Sequence, residues 1–123
     1  MAYIRTLICA LWLICYDGSY EAVVCDQVSF VLPFLRLAGH RTIFYCHYPD
    51  KLLAGRRSNV LKKIYRLVID FAEEFSLLFA HKIYVNSEFT KSVFYESFKL
   101  ANKIKKMNVE ILYPSIDFSQ FDD

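Results

Sequence analysis

From Ala22 onward, short runs of β-branched and aromatic residues alternate with longer segments of helical period, and few folds accommodate that order. Strand, crossover helix, strand is the sequence form of βαβ units, which assemble into a parallel sheet with flanking helices. Residues 22–26 (AVVCD), 42–47 (TIFYCH), 82–86 (KIYVN) and 109–113 (VEILY) read as four strands. None alternates polar with apolar residues strongly enough to predict a sheet face open to water. The expected class is α/β, and 123 residues suit one domain.

The connections read as helices. Residues 28–38 are apolar at most positions and stop at Gly39, a suitable C′ residue, with Pro33 predicting an early kink. Over residues 58–79, Leu61, Ile64, Tyr65, Val68, Phe71, Ala72, Phe75, Leu78 and Phe79 follow a 3.6-residue spacing. Lys62, Lys63, Arg66, Asp70, Glu73 and Glu74 fall off this stripe or at its edge, so the stripe is the expected core face. A further helix is predicted after Ser87, a natural N-cap followed by Glu88, and should run through Phe98.

Two features at the start of the chain bear on its setting. Residues 2–16 (AYIRTLICALWLICY) are apolar apart from Arg5 and Thr6, too short for a membrane span and without a clear signal cleavage site before Asp17-Gly18. A helix ending near Asp17-Gly18 is expected there, covered by protein or lipid. Cys9, Cys15, Cys25 and Cys46 contain no C-x-x-C pair and lie among apolar residues. They read as four reduced, buried thiols of a cytosol-facing protein.

In open α/β sheets, ligands bind beyond the carboxyl ends of the strands. The residues at those ends here are Asp26-Gln27, His47-Tyr48-Pro49-Asp50, Asn86-Ser87 and Pro114-Ser115. Each alone is explained by capping or turn formation; together they mark one crevice edge. Of the three histidines, His47 is the candidate, because His40 and His81 fall at the opposite edge. No metal set with ligand spacing, no G-x-S-x-G elbow and no phosphate-binding glycine loop is present. The net charge of +2 points to no nucleic-acid partner. Residues 51–66 nevertheless carry Lys51, Arg56, Arg57, Lys62, Lys63 and Arg66 with no acid, a patch beside the predicted ligand edge suited to a phosphate or anionic lipid headgroups.

Several strings share one further property. Val24-Cys25-Asp26-Gln27-Val28-Ser29, Phe44-Tyr45-Cys46-His47-Tyr48-Pro49-Asp50, Val85-Asn86-Ser87-Glu88-Phe89-Thr90 and Leu112-Tyr113-Pro114-Ser115 resemble, in order, the eukaryotic α-1,3/α-1,6-mannosyltransferases of dolichol-linked oligosaccharide assembly. That resemblance implies a retaining GT-B glycosyltransferase with two Rossmann-like domains, of which residues 1–123 form part of the amino-terminal, acceptor-side domain. It implies GDP-mannose as donor, with no cofactor or metal. The implied partners are a dolichyl-pyrophosphate oligosaccharide acceptor, the cytosolic face of the endoplasmic reticulum membrane, and a carboxyl-terminal domain.

His47 matches a histidine that approaches the donor sugar in similar enzymes. Asp26, Asp50, Asn86 and Ser87 would line the donor-cleft edge, with Lys51, Arg56 and Arg57 assigned to acceptor or phosphate contact. The family's glycine-rich loop and nucleotide-holding domain have no counterpart here, so inactivity in isolation and poor solubility are expected. The alternatives are a non-catalytic, membrane-associated binding module and a transferase using another nucleotide sugar.

Overall fold

The computed structural model describes residues 2–16, 20–48 and 60–114. In chain order the elements are α1 (Ala2–Tyr16), β1 (Ala22–Asp26), a 3-10 turn (Ser29–Val31), α2 (Leu32–Leu37) and β2 (Arg41–Cys46). There follow α3 (Val60–Ser76) with its 3-10 extension (Leu77–Phe79), β3 (Lys82–Val85), α4 (Glu88–Ser97), α5 (Lys99–Ile104) and β4 (Val109–Ile111). The four strands form one parallel sheet in the order β1-β2-β3-β4. This is the expected α/β, Rossmann-like arrangement.

Sequential strand order has a geometric consequence that strand composition did not reveal. Each right-handed crossover advances the sheet in the same direction, so the helices collect on one face. Cys25, Phe44, Cys46, Ile83, Val85 and Val109 are buried on that face against Leu32, Leu35, Leu77, Phe94 and Phe98. The opposite face carries Val24, which is 64% exposed, and the Lys82–Glu110 ion pair at 3.4 Å. The expectation of a sheet covered on both faces is therefore corrected for the described residues.

The α2 segment stops as its glycine predicts. Gly39 adopts φ 90°, its N–H donates to the Arg36 carbonyl at 3.0 Å, and His40 N–H donates to the Leu35 carbonyl at 3.1 Å. Those paired bonds satisfy the last carbonyls of the helix. Pro33 does not kink a single long helix. It occupies the first turn of α2, where its missing N–H has no helical partner to lose, and a separate 3-10 turn precedes it.

The largest correction concerns α3. Most of its periodic apolar stripe faces outward, with Leu61 82% and Phe71 58% exposed and only the end of the stripe, Leu78 and Phe79, packed against the core, whereas Glu73 and Glu74 are only 7% exposed. Specific hydrogen bonds decide the orientation. Glu74 Oε1 accepts the backbone N–H groups of Leu100 at 2.7 Å and Ala101 at 3.0 Å, capping α5 from across the fold. The Glu73 carboxylate accepts from the Tyr3 hydroxyl of α1, and its carbonyl accepts from Ser29 Oγ at 3.3 Å. α5 itself follows α4 after a break at Phe98, where one continuous helix end was expected.

α1 is likewise less enclosed than its composition suggests. Among its described side chains only Ala10 is buried, with Leu13 and Ile14 packed against the core, while Ile4, Ile8 and Trp12 are exposed. Cys9 and Cys15 sit on this outer surface, so two of the four thiols expected to be buried are exposed; Cys25 and Cys46 are buried, and none of the four is in a disulfide. No helix among the described residues is long and apolar enough to cross a membrane.

Candidate functional site

Parallel register brings the carboxyl ends of β1, β2 and β3 to one edge. Asp26 pairs with Tyr45 across β1 and β2, and Cys46 with Val85 across β2 and β3, so His47 emerges between the ends of its two neighbours. His47 Nε2 stands 2.9 Å from Asp26 Oδ1, with the two side chains 54% and 67% exposed. The Tyr45 ring meets the imidazole edge-on, with centroids 4.8 Å apart. The imidazole is thus oriented on two sides while remaining open to a ligand.

A second set of bonds joins β2 to the start of α4. Ser87, with extended backbone, accepts the Thr90 N–H at 3.2 Å as the predicted N-cap. Its hydroxyl lies 3.0 Å from Thr90 Oγ1 and donates to Asn86 Oδ1 at 3.3 Å. Thr90 Oγ1 in turn donates to the His47 carbonyl at 3.4 Å. Asp26, His47, Asn86 and Ser87 therefore share one edge, as their positions in the sequence imply. Asp50, Lys51, Arg56, Arg57 and Ser115 lie outside the described residues.

The sequence places Gln27 at a strand end beside Asp26 but gives it no role of its own. It adopts φ 63°, a left-handed conformation that costs a residue with a Cβ about 1 kcal/mol. The carbonyl before it, on Asp26, accepts the Val28 N–H after it at 2.7 Å, making a tight three-residue turn. Gln27 N–H donates to the Tyr45 carbonyl at 2.9 Å; its Oε1 accepts the His47 N–H at 3.0 Å and its Nε2 donates to the Tyr48 carbonyl. Glutamine carries no propensity for this conformation, so composition offered no signal; its place between a strand end and the next turn was the only one.

Two other titratable groups on or beside the strands serve the packing. His81, at the opposite edge, accepts the Thr42 N–H on Nδ1 at 2.9 Å. Desolvation, then the positive charges of Arg36, Lys105 and Arg41, lower its pKa and keep the ring neutral. Burial pushes the Cys25 thiol up to about 11, leaving an unreactive group. Among the described residues, no three His, Cys, Asp or Glu side chains converge as a metal set.

No protein-family model matches the chain, and no solved structure matches it. Individual curated proteins do. The chain is 44% identical over 124 residues to the α-1,3/1,6-mannosyltransferase ALG2 of Mus musculus, a match covering 98% of the chain. By sequence, it is a relative of the ALG2 mannosyltransferases. The human ALG2 is equally similar, at 44% identity over 98% of the chain, and that of Saccharomyces cerevisiae is 41% identical over 83% of it. The chain spans 29% of the length of the mouse and human relatives and 20% of the yeast one. The mannosyltransferase resemblance is thereby shown.

Proposed function

We propose that this chain forms part of the acceptor-side domain of a retaining GT-B mannosyltransferase in N-glycan precursor assembly. The donor is GDP-mannose and the acceptor a dolichyl-pyrophosphate oligosaccharide, met at the cytosolic face of the endoplasmic reticulum. Likeness over 98% of the chain to proteins named α-1,3/1,6-mannosyltransferase is the observation that carries this reading. The ordered, solvent-open His47 at the carboxyl edge of a parallel sheet supports it.

In this reading the transferred mannose lies against the His47 edge. An acceptor hydroxyl attacks the anomeric carbon from the face that GDP leaves. The glycosidic bond forms as the bond to the β-phosphate oxygen breaks, and the hydroxyl proton passes to the departing phosphate. His47 holds a sugar hydroxyl and so positions the ring, a geometric contribution that grows as the anomeric carbon flattens. Asp26 fixes the imidazole, while Asn86 and Ser87 complete the cleft edge; by the sequence and its family resemblance alone, Asp50 is assigned to donor contact, and Lys51, Arg56 and Arg57 to supplying cations for the acceptor pyrophosphate. The nucleotide is held by a partner domain, and the chain uses no cofactor of its own. The exposed apolar surfaces of α1 and α3 suit a lipid-linked acceptor and the membrane that carries it.

The test is a chimera in which this chain replaces the matching stretch of the mouse relative, assayed with GDP-mannose and lipid-linked acceptor. Transfer by the chimera, none by the 123-residue chain alone, and a loss of about 100-fold or more on His47→Ala are expected. An inactive but folded chimera, or transfer by the isolated chain, overturns the reading.

A further inference from the structure

We propose that Gln27 is a positioning residue for His47, acting as a backbone clamp that presents the imidazole to the sugar. This rests on the reading of His47 given above and names a residue through which that histidine would be held. A non-glycine residue at φ 63° persists only where its surroundings over-determine it. Here the side chain does so by binding the chain on both sides of the histidine: Oε1 takes the His47 N–H and Nε2 reaches the Tyr48 carbonyl.

The same turn carries a second constraint. Asp26, immediately before Gln27, holds the far end of the imidazole at 2.9 Å, so one dipeptide fixes both the backbone and the ring of His47. Gln27 N–H is tied to Tyr45, two residues before the histidine, which locks the turn to β2 itself. A side chain shorter by one methylene, or one with a single polar atom, cannot span the two peptide groups on either side of His47. With Asp26 engaging Nε2, the other ring nitrogen, Nδ1, remains for a ligand hydroxyl.

Kinetics of the chimera described above test the clamp. Gln27→Gly suits the left-handed backbone and removes both side-chain bonds, so the turn survives without its hold on His47. A fall in kcat of about tenfold with KM changed less than about twofold is expected, because misplacement of a positioned group acts on the transition state. Gln27→Glu retains an acceptor for His47 N–H and loses the donor to Tyr48; an intermediate rate is expected, and this isosteric variant guards against a folding defect in the glycine variant. Adding Gln27→Gly to His47→Ala should cost nothing further, since the clamp acts only through the histidine.

The clamp is overturned, with the role of His47 intact, if His47→Ala is severely impaired while Gln27→Gly turns over at the parent rate. It is also overturned if the two losses multiply in the double variant. A near-normal rate for His47→Ala overturns the underlying reading of that histidine, and the clamp with it.

Discussion

Two carboxylates define contrasting regions of the molecule. Glu74, on α3, is buried and accepts two backbone N–H groups at the start of α5. Asp26, at the end of β1, is largely exposed and accepts from one imidazole. A buried carboxylate must be fully partnered to be tolerated, so its loss strands the donors it served. An exposed one gains little from its partner because water competes, and this leaves it free to serve a ligand. Burial, not residue type, separates the structural acid from the one left open to a ligand.

The sharpest challenge to that contrast is Glu74→Ala. Leaving two N–H groups of α5 without their acceptor should lower the unfolding free energy by about 2–3 kcal/mol, read from the midpoint of urea denaturation. A change below about 0.5 kcal/mol would place Glu74 with the solvent-screened acids instead.

The thiols offer a second contrast between inside and outside. At pH 8, Cys9 and Cys15 on α1 should be alkylated by a maleimide in the folded protein, while Cys25 and Cys46 react only after denaturant is added. For Cys25, burial acts twice, excluding the reagent and suppressing the thiolate by raising the pKa to about 11. Peptide mapping by mass spectrometry reads the pattern, and early modification of Cys25 would contradict the packing of β1.

His81 sharpens the comparison through pH. Its folded-state pKa lies below 6.5, so the unfolded chain binds the proton more readily. The contribution of the neutral ring is fully present above pH 6.5 and is lost as the pH falls from there through the lowered folded value. His81→Gln should flatten the decline in denaturation midpoint across that window; an unaltered slope would assign the decline to other groups.

The smallest effect is expected at the site. Asp26→Asn should alter stability by no more than about 0.5 kcal/mol in the same urea experiment, because the pair it breaks is open to solvent. A loss comparable to that of Glu74→Ala would make Asp26 a structural acid and remove the contrast.

Much of this architecture is legible in local pattern. Strand runs at β1 to β4, the glycine that stops α2 and the Ser87 cap each depend on residues within a turn of one another, and each appears where expected. The shared position of Asp26, His47, Asn86 and Ser87 was also legible, because parallel strands put all their carboxyl ends at one edge. α3 shows where pattern reading stops. Its apolar periodicity predicted the correct helix and the wrong face, since nothing in Leu61 or Phe71 indicates that Glu73 and Glu74 meet donors on α1 and α5.

What the sequence determined by itself was the order of strands and helices, their principal stops, and kinship with the ALG2 mannosyltransferases. Tertiary structure alone decided which face of α3 is buried, which thiols are reachable, that one sheet face is uncovered by the described residues, and that Gln27 holds His47 from both sides. Local propensity acts over a few residues, whereas each of these outcomes depends on polar groups or crossovers meeting from about 20 or more residues apart.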